Sequence, residues 1–211
     1  MNAESTLIEM REVGRDEVAL IFSFLTIASR MEEQGEPLQK ALVDEQLSPY
    51  WKGWGRPGDK AIVASDTASG LPVCCAWVRD LPPQHALKTS AQGRVLELAV
   101  GTVAQYRGKG IGTAVMRRLL DACQAVCDGI SLSVRTTNPA LRLYARFGFV
   151  KVDGSEHTNR VGSQSITMLL NFRDSSQSPN RSEVEAAKTE FKQAHAENIP
   201  ASPCAEAARE S

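Results

Sequence analysis

Apolar and polar residues alternate along this chain with a period that changes from segment to segment, and each change predicts an element. Residues 16–30 carry Val18, Ile21, Phe22, Leu25 and Ala28 at helical spacing. Gly35-Glu36-Pro37 interrupts that pattern, and Pro37 is placed to open a second short helix running to residue 47. Short apolar runs at 7–10, 61–64 and 71–79 read as strands, the last two joined by an Asp66-Thr67-Ala68-Ser69-Gly70 turn. Residues 47–59, with Pro49, Tyr50, Trp51, Trp54, Pro57 and three glycines, suit an irregular loop. A polar connection over 81–93 leads into an apolar strand at 94–100.

Beyond that strand, Ile111, Val115, Leu119, Ala122 and Val126 form one helical stripe, with Arg117, Arg118 and Asp121 off it. Ile130, Leu132 and Val134 alternate with polar residues as a strand. Asn138 is placed to cap, and Pro139 to open, a helix that Gly148 ends. Residues 149–152 and 165–170 read as a closing hairpin across the 153–164 loop. From residue 174 the chain turns to Ser, Ala, Glu and Pro with isolated apolar residues, so 174–211 is expected to be a disordered tail behind a domain of 1–173.

The chain's 211 residues suit one domain with some excess. A net charge of −1 argues against nucleic acid or an anionic membrane as a bulk partner. No apolar run reaches spanning length and the first residues lack a signal-peptide core, so a cytoplasmic location is expected. Five cysteines, an odd number, suit a reducing compartment. Cys74 and Cys75 are neighbours on a strand and face opposite ways, while Cys123 and Cys127 have no further ligand nearby. With His85, His157 and His195 showing no ligand spacing either, no metal is expected.

The densest chemistry lies at Gln105-Tyr106-Arg107-Gly108-Lys109-Gly110-Ile111-Gly112-Thr113, between a strand and a helix. Such a turn presents backbone N–H groups to an anion, and the helix N-terminus adds about half a positive charge there. Lys109 and Arg107 add full charges, so a phosphate-bearing ligand fits. A P-loop requires a glycine further upstream and a hydroxyl residue after its lysine, and both are missing. A dinucleotide fingerprint fails as well, because Thr113 and Val115 stand where its third glycine is needed.

What fits is Arg107-x-x-Gly110-x-Gly112, which resembles the acyl-CoA-binding motif of the GNAT superfamily of N-acetyltransferases. Leu96-Glu97-Leu98-Ala99-Val100 resembles the strand before that loop. The segment from Asn138 through Tyr144 to Gly148-Phe149 resembles the family's second signature. The likeness is close over 57–170 and general over 7–56. It implies a mixed α/β (α+β) fold with a mostly antiparallel central sheet of about six to seven strands. Helices flank that sheet, and a V-shaped wedge takes the cofactor.

The resemblance also implies roles. Acetyl-CoA is the expected cosubstrate, with its pyrophosphate on Arg107, Gly108, Lys109, Gly110, Ile111, Gly112 and Thr113. Its pantetheine arm and thioester run along the backbone of Leu98, Ala99 and Val100, and a backbone N–H fixed near the thioester oxygen stabilises a developing oxyanion. Asn138 touches the same arm. Tyr144 lies near the sulfur and is the candidate proton donor to the leaving thiolate, its other reading being a packed aromatic. Glu97 is the candidate base for an incoming ammonium, its other reading being a structural pair with Arg94 or Arg135.

The Tyr50, Trp51 and Trp54 cluster reads equally as a wall of the amine pocket or as a packed lid. The acceptor, a small molecule or a protein amine, stays open. A homodimer is an assembly the resemblance allows. A non-catalytic acyl-CoA sensor or interaction module with the same fold is the other reading of the whole chain.

Overall fold

The computed structural model describes residues 7–83, 85 and 93–172; the predicted tail at 174–211 and most of 84–92 lie outside the described residues. Eight strands form one sheet: β1 (Ile8–Glu12), β2 (Lys60–Asp66), β3 (Pro72–Arg79), β4 (Val95–Thr102), β5 (Gly129–Arg135), β6 (Val150–Lys151), β7 (His157–Thr158) and β8 (Gln164–Asn171). Their order is β1-β2-β3-β4-β5-β8-β6, with β7 also on β8. Every pairing is antiparallel except β4 with β5. Four α-helices accompany the sheet among the described residues: α1 (Val18–Ala28), α2 (Leu38–Val43), α3 (Ile111–Cys123) and α4 (Leu141–Arg146).

The sheet is buried on both faces, and strand alternation assigns each residue to one of them. Ile62, Ala64, Cys74, Ala76, Leu96, Leu98, Ile130 and Leu132 face α3, whose Val115, Met116 and Leu119 are fully buried against them. Each such side chain contributes about 1.5–3 kcal/mol relative to exposure. Ala61, Val63, Cys75, Trp77 and Ala99 face α1 instead, through Ile21, Phe24 and Leu25. Helix α1 lies so close to β4 that a Cβ on Gly101 would sit 2.8 Å from the Phe24 carbonyl oxygen.

Several elements differ from expectation in extent. Helix α2 ends at Val43 and a single 3-10 turn, Ser48–Tyr50, follows. Strand β4 continues to Thr102, two residues past its expected end. Asn138 does not cap α4, whose N-cap is Ala140; its side chain accepts from the Ala140 amide at 2.9 Å and closes the turn before the helix. The closing loop supplies an extra two-residue strand, β7, and β8 inserts between β5 and β6.

The 47–59 loop is anchored by Arg79, at the end of β3 and 1% exposed. Its guanidinium grips Asp59 with two hydrogen bonds of 3.1 and 3.0 Å, and donates to the carbonyls of Pro49, Lys52 and Gly53 at 2.9, 3.0 and 2.8 Å. All five N–H groups are therefore used, which is what allows the charge to be buried. The Trp77 indole donates to the Tyr50 carbonyl at 3.0 Å, and the Trp54 indole to the Gly14 carbonyl at 2.8 Å. The aromatic cluster is a packed, hydrogen-bonded cover over the α1 face. Replacing Arg79 by Met should cost about 3–5 kcal/mol in urea unfolding, because Asp59 is left buried and unpaired. A loss below about 1 kcal/mol would show that the loop is held without this ion pair.

Candidate active site

Strands β4 and β5 pair only at Val95–Gly129, Leu96–Ile130 and Glu97–Ser131. Beyond that point β5 pairs with β8 alone, while β4 continues beside β3. A wedge therefore opens between the two strands. The Val103 amide donates to the Val73 carbonyl at 2.9 Å, which sets the hydrogen-bonding phase of the β3–β4 ladder. By alternation Glu97, Ala99 and Gly101 turn their backbone groups to β3, whereas Leu98, Val100 and Thr102 turn theirs into the wedge. Val100, with its peptide N–H and carbonyl, and Leu98, with its carbonyl alone, thus offer unpaired groups there, since the Glu97–Ser131 pairing uses the Leu98 amide on the Ser131 carbonyl. Ala99 does not, since its backbone faces Trp77 in β3, and it departs from the expected contact for that reason.

At the open end of the wedge stands the glycine turn. Gly110 is the N-cap of α3 with φ +80, in the left-handed region where glycine is unstrained. No group among the described residues accepts a hydrogen bond from the amides of residues 108–113. These N–H groups and the α3 dipole form an anion site. The two cationic side chains of the motif point elsewhere. Arg107 donates to the Thr102 carbonyl at 3.0 Å and to Glu33 at 2.6 Å, holding that carboxyl below its ordinary range. The Lys109 ammonium sits over the Tyr106 ring, 5.0 Å from its centroid.

Glu97 lies at the vertex of the wedge, 2% exposed, with its side chain on the α1 face. Ser131 Oγ donates to one carboxylate oxygen at 2.5 Å; the Ser133 amide and the Tyr50 hydroxyl donate to the other at 3.2 and 3.3 Å. Burial first, then the Glu97 charge, raises the Tyr50 pKa well above its ordinary value and keeps this phenol a donor. The arginines expected as alternative partners are engaged elsewhere: Arg94 with the Val126 carbonyl at 3.2 Å, Arg135 with the Ser29 carbonyl at 3.0 Å. Next to Glu97, the His157 ring accepts or donates at Ser133 Oγ (3.3 Å), while its Nδ1 donates to the Ser155 carbonyl at 3.0 Å.

Tyr144 belongs to the opposite layer, under α3. Its ring packs edge-on against Phe149 with centroids 6.0 Å apart, and burial pushes its hydroxyl up to about 12. Asn138 Oδ1 also receives a long hydrogen bond from Arg30, at 3.4 Å. The sheet thus carries a buried carboxylate on one face and a buried phenol on the other, with free peptide groups of β4 along one wall of the wedge and the amides of the glycine turn at its mouth.

The family model described as "Acetyltransferase (GNAT) family" matches residues 26–149. The chain belongs to the GNAT acetyltransferase family. An N-alpha-acetyltransferase of Sulfurisphaera tokodaii is 35% identical to this GNAT protein over 80 residues, 36% of this chain. The matched stretch spans 47% of that relative's length. Among solved structures, yncA of Salmonella typhimurium, described as an acetyltransferase and solved with its cofactor acetyl-CoA, aligns with a TM-score of 0.57 at 16% identity. That alignment covers 83% of this chain and 99% of the other. A protein of Acinetobacter baylyi, also described as an acetyltransferase, gives 0.58 at 19% identity over 85% and 99%. These alignments share the fold: mixed α/β, with a mostly antiparallel sheet flanked by helices.

Acetyl-CoA is the cosubstrate of this family. The GNAT protein's own residues fit it. A Cβ on Gly112 would meet only Thr102 Oγ1, at 3.6 Å, and Gly110 has nothing within 4 Å, so the space before the turn is open. Nothing in the chain itself requires glycine at 112, which has an ordinary helical conformation. No local sequence signal joins Ser131, Ser133 and the Tyr50 hydroxyl to Glu97, because 34 to 47 residues separate them from it and tertiary packing alone brings them together. Replacing Gly112 by Ala should leave unfolding stability unchanged or raised by up to about 1 kcal/mol. The same change should weaken acetyl-CoA binding by about tenfold or more in calorimetry. Unaltered affinity would separate this position from the phosphate site.

Proposed function

We propose that this chain transfers the acetyl group of acetyl-CoA to a primary amine by direct attack in a ternary complex. The observation that supports the reading is a buried carboxylate, Glu97, at the vertex of the wedge, with a buried phenol, Tyr144, in the layer on the other face of the sheet. Acetyl-CoA supplies the activated acetyl thioester. An amine entering from the α1 face meets Glu97, which accepts its proton directly or through water and leaves the lone pair free to attack. The wedge-facing amide of Val100 hydrogen-bonds the oxygen on which charge develops. Tyr144, on the far face, gives its proton to the departing thiolate.

Direct attack is supported by the state of the nearest thiol. Cys74 is buried and contacts Thr102 Oγ1 at 3.2 Å, and burial pushes its thiol up to about 11, so it is a poor acyl carrier at neutral pH. Tyr50, Ser131 and Ser133 act through Glu97 as positioning residues. An amine acceptor accords with the N-alpha-acetyltransferase relative, although that match spans 47% of the relative's length.

Steady-state assays of CoA release with an amine panel test these roles. Tyr144→Phe should lower kcat by about 10²-fold, the lower range for a general acid, with little change in acetyl-CoA affinity. Because the Tyr144 hydroxyl titrates only at about 12, it stays protonated up to pH 10 and should impose no alkaline limb below that. Unchanged kcat in Tyr144→Phe would remove it as the acid. Glu97→Gln should abolish the acidic limb of the kcat profile, and an identical profile would make Glu97 structural.

A further inference from the structure

Three guanidinium groups converge where the α1 face of the wedge meets the end of β5. Arg135 occupies the same strand face as Ser131 and Ser133, two positions beyond Ser133 and so about 7 Å further along. Arg30 follows α1 at φ +57, the one non-glycine residue in the left-handed region among the described residues. Arg160 reaches in from the loop before β8 with its side chain 10% exposed. Burial first, then repulsion from Arg30 and Arg160, lowers the Arg135 pKa from its ordinary value.

The carboxylates nearby are already shared out. Glu33 bridges Arg30 at 3.1 Å and Arg107 at 2.6 Å. Glu36 bridges Arg160 at 2.7 Å and Lys40 at 2.5 Å, which together hold its carboxyl at about 2. Arg160 Nη1 is buried without a hydrogen-bond partner, 3.8 Å from Asp44. Arg135 has a single described bond, from Nη2 to the Ser29 carbonyl, so its other N–H groups are available. Such a strained residue and two crowded arginines are kept at a cost of a few kcal/mol. A guanidinium with spare N–H groups in a half-buried site is a carboxylate receptor.

We infer that the amine acceptor carries a carboxylate a few bonds from its amino group, and that Arg135, backed by Arg30 and Arg160, binds it. This rests on the acetyl-transfer reading above. With the amine at Glu97 and the carboxylate at Arg135, the acceptor lies along β5 past Ser133, the exposed residue of that strand face. That span fits an acidic amino acid or a peptide with an acidic first residue. A polyamine would bring its second cation against the three arginines.

The test compares kcat/KM for glutamyl-alanine amide, glutaminyl-alanine amide, lysyl-alanine amide, free glutamate and spermidine, on the full chain and on Arg135→Gln and Arg135→Lys. Wild type should prefer the glutamyl over the glutaminyl amide by about tenfold or more. Arg135→Gln should bring that ratio near one, with acetyl-CoA affinity kept, and Arg135→Lys should retain part of it. A folded Arg135→Lys keeps the test decisive if Arg135→Gln does not fold. Faster reaction of free glutamate than of the peptide identifies an amino acid as acceptor, and the reverse identifies a peptide N-terminus; either supports the proposal. Equal rates for acid and amide, faster rates with lysyl amide or spermidine, or a ratio that survives in Arg135→Gln overturn it while leaving acetyl transfer standing. Failure of every amine, with acetyl-CoA bound, overturns both readings together.

Discussion

The parting of β4 from β5 is the constraint on which the rest of this molecule depends. Two parallel strands that share only Val95–Gly129, Leu96–Ile130 and Glu97–Ser131 leave the next peptide groups of β4 without a neighbour. Buried peptide groups need partners, and those of β4 beyond Glu97 face the wedge instead of a neighbouring strand. The same divergence frees the second half of β5 to pair with β8, and that pairing carries Ser131, Ser133 and Arg135 to the α1 side.

Around the wedge, the two faces of the sheet divide the chemistry. The α3 face is continuous apolar packing that ends in Tyr144 and Phe149. The α1 face loses its apolar character between β4 and β8, where Glu97, Ser131, Ser133, Ser155, Thr167 and His157 replace it. Arg79 makes this arrangement rigid from outside. By fastening three carbonyls and Asp59 it holds the loop whose Tyr50 hydroxyl reaches Glu97. One buried ion pair at the end of β3 thereby orients a carboxylate at the vertex of the wedge.

Charge follows a similar logic at the mouth. Arg107 belongs to the glycine motif, yet its guanidinium is spent on Glu33 and the Thr102 carbonyl, linking the turn after α1 to the turn before α3. What the turn before α3 presents to an anion is therefore backbone amides and the α3 N-terminus, whose direction is fixed by the helix rather than by rotatable side chains. Arg30, Arg135 and Arg160 form a separate cationic zone near the end of β5, linked to Arg107 through Glu33.

Much of this was legible in the chain alone wherever the cause is local. Periodicity of two or 3.6 residues located β3, β4, α1 and α3, and the spacing of Arg107, Gly110 and Gly112 selected an acyl-CoA turn over other phosphate loops. Local chemistry was less decisive where it competes with packing: Asn138 closes a turn instead of capping α4, and α2 stops at Val43. The partners of Glu97, the donor set of Arg79 and the meeting of Arg30, Arg135 and Arg160 had no sequence signal. Each joins residues tens to a hundred positions apart, and their distance is set by strand register and helix packing. Sequence determined which segments form strands, helices and the glycine turn before α3, because those depend on residues within a few positions of one another. Only the tertiary structure decided which polar side chains share the wedge, because a one-residue change of register would send every one of them to the other face.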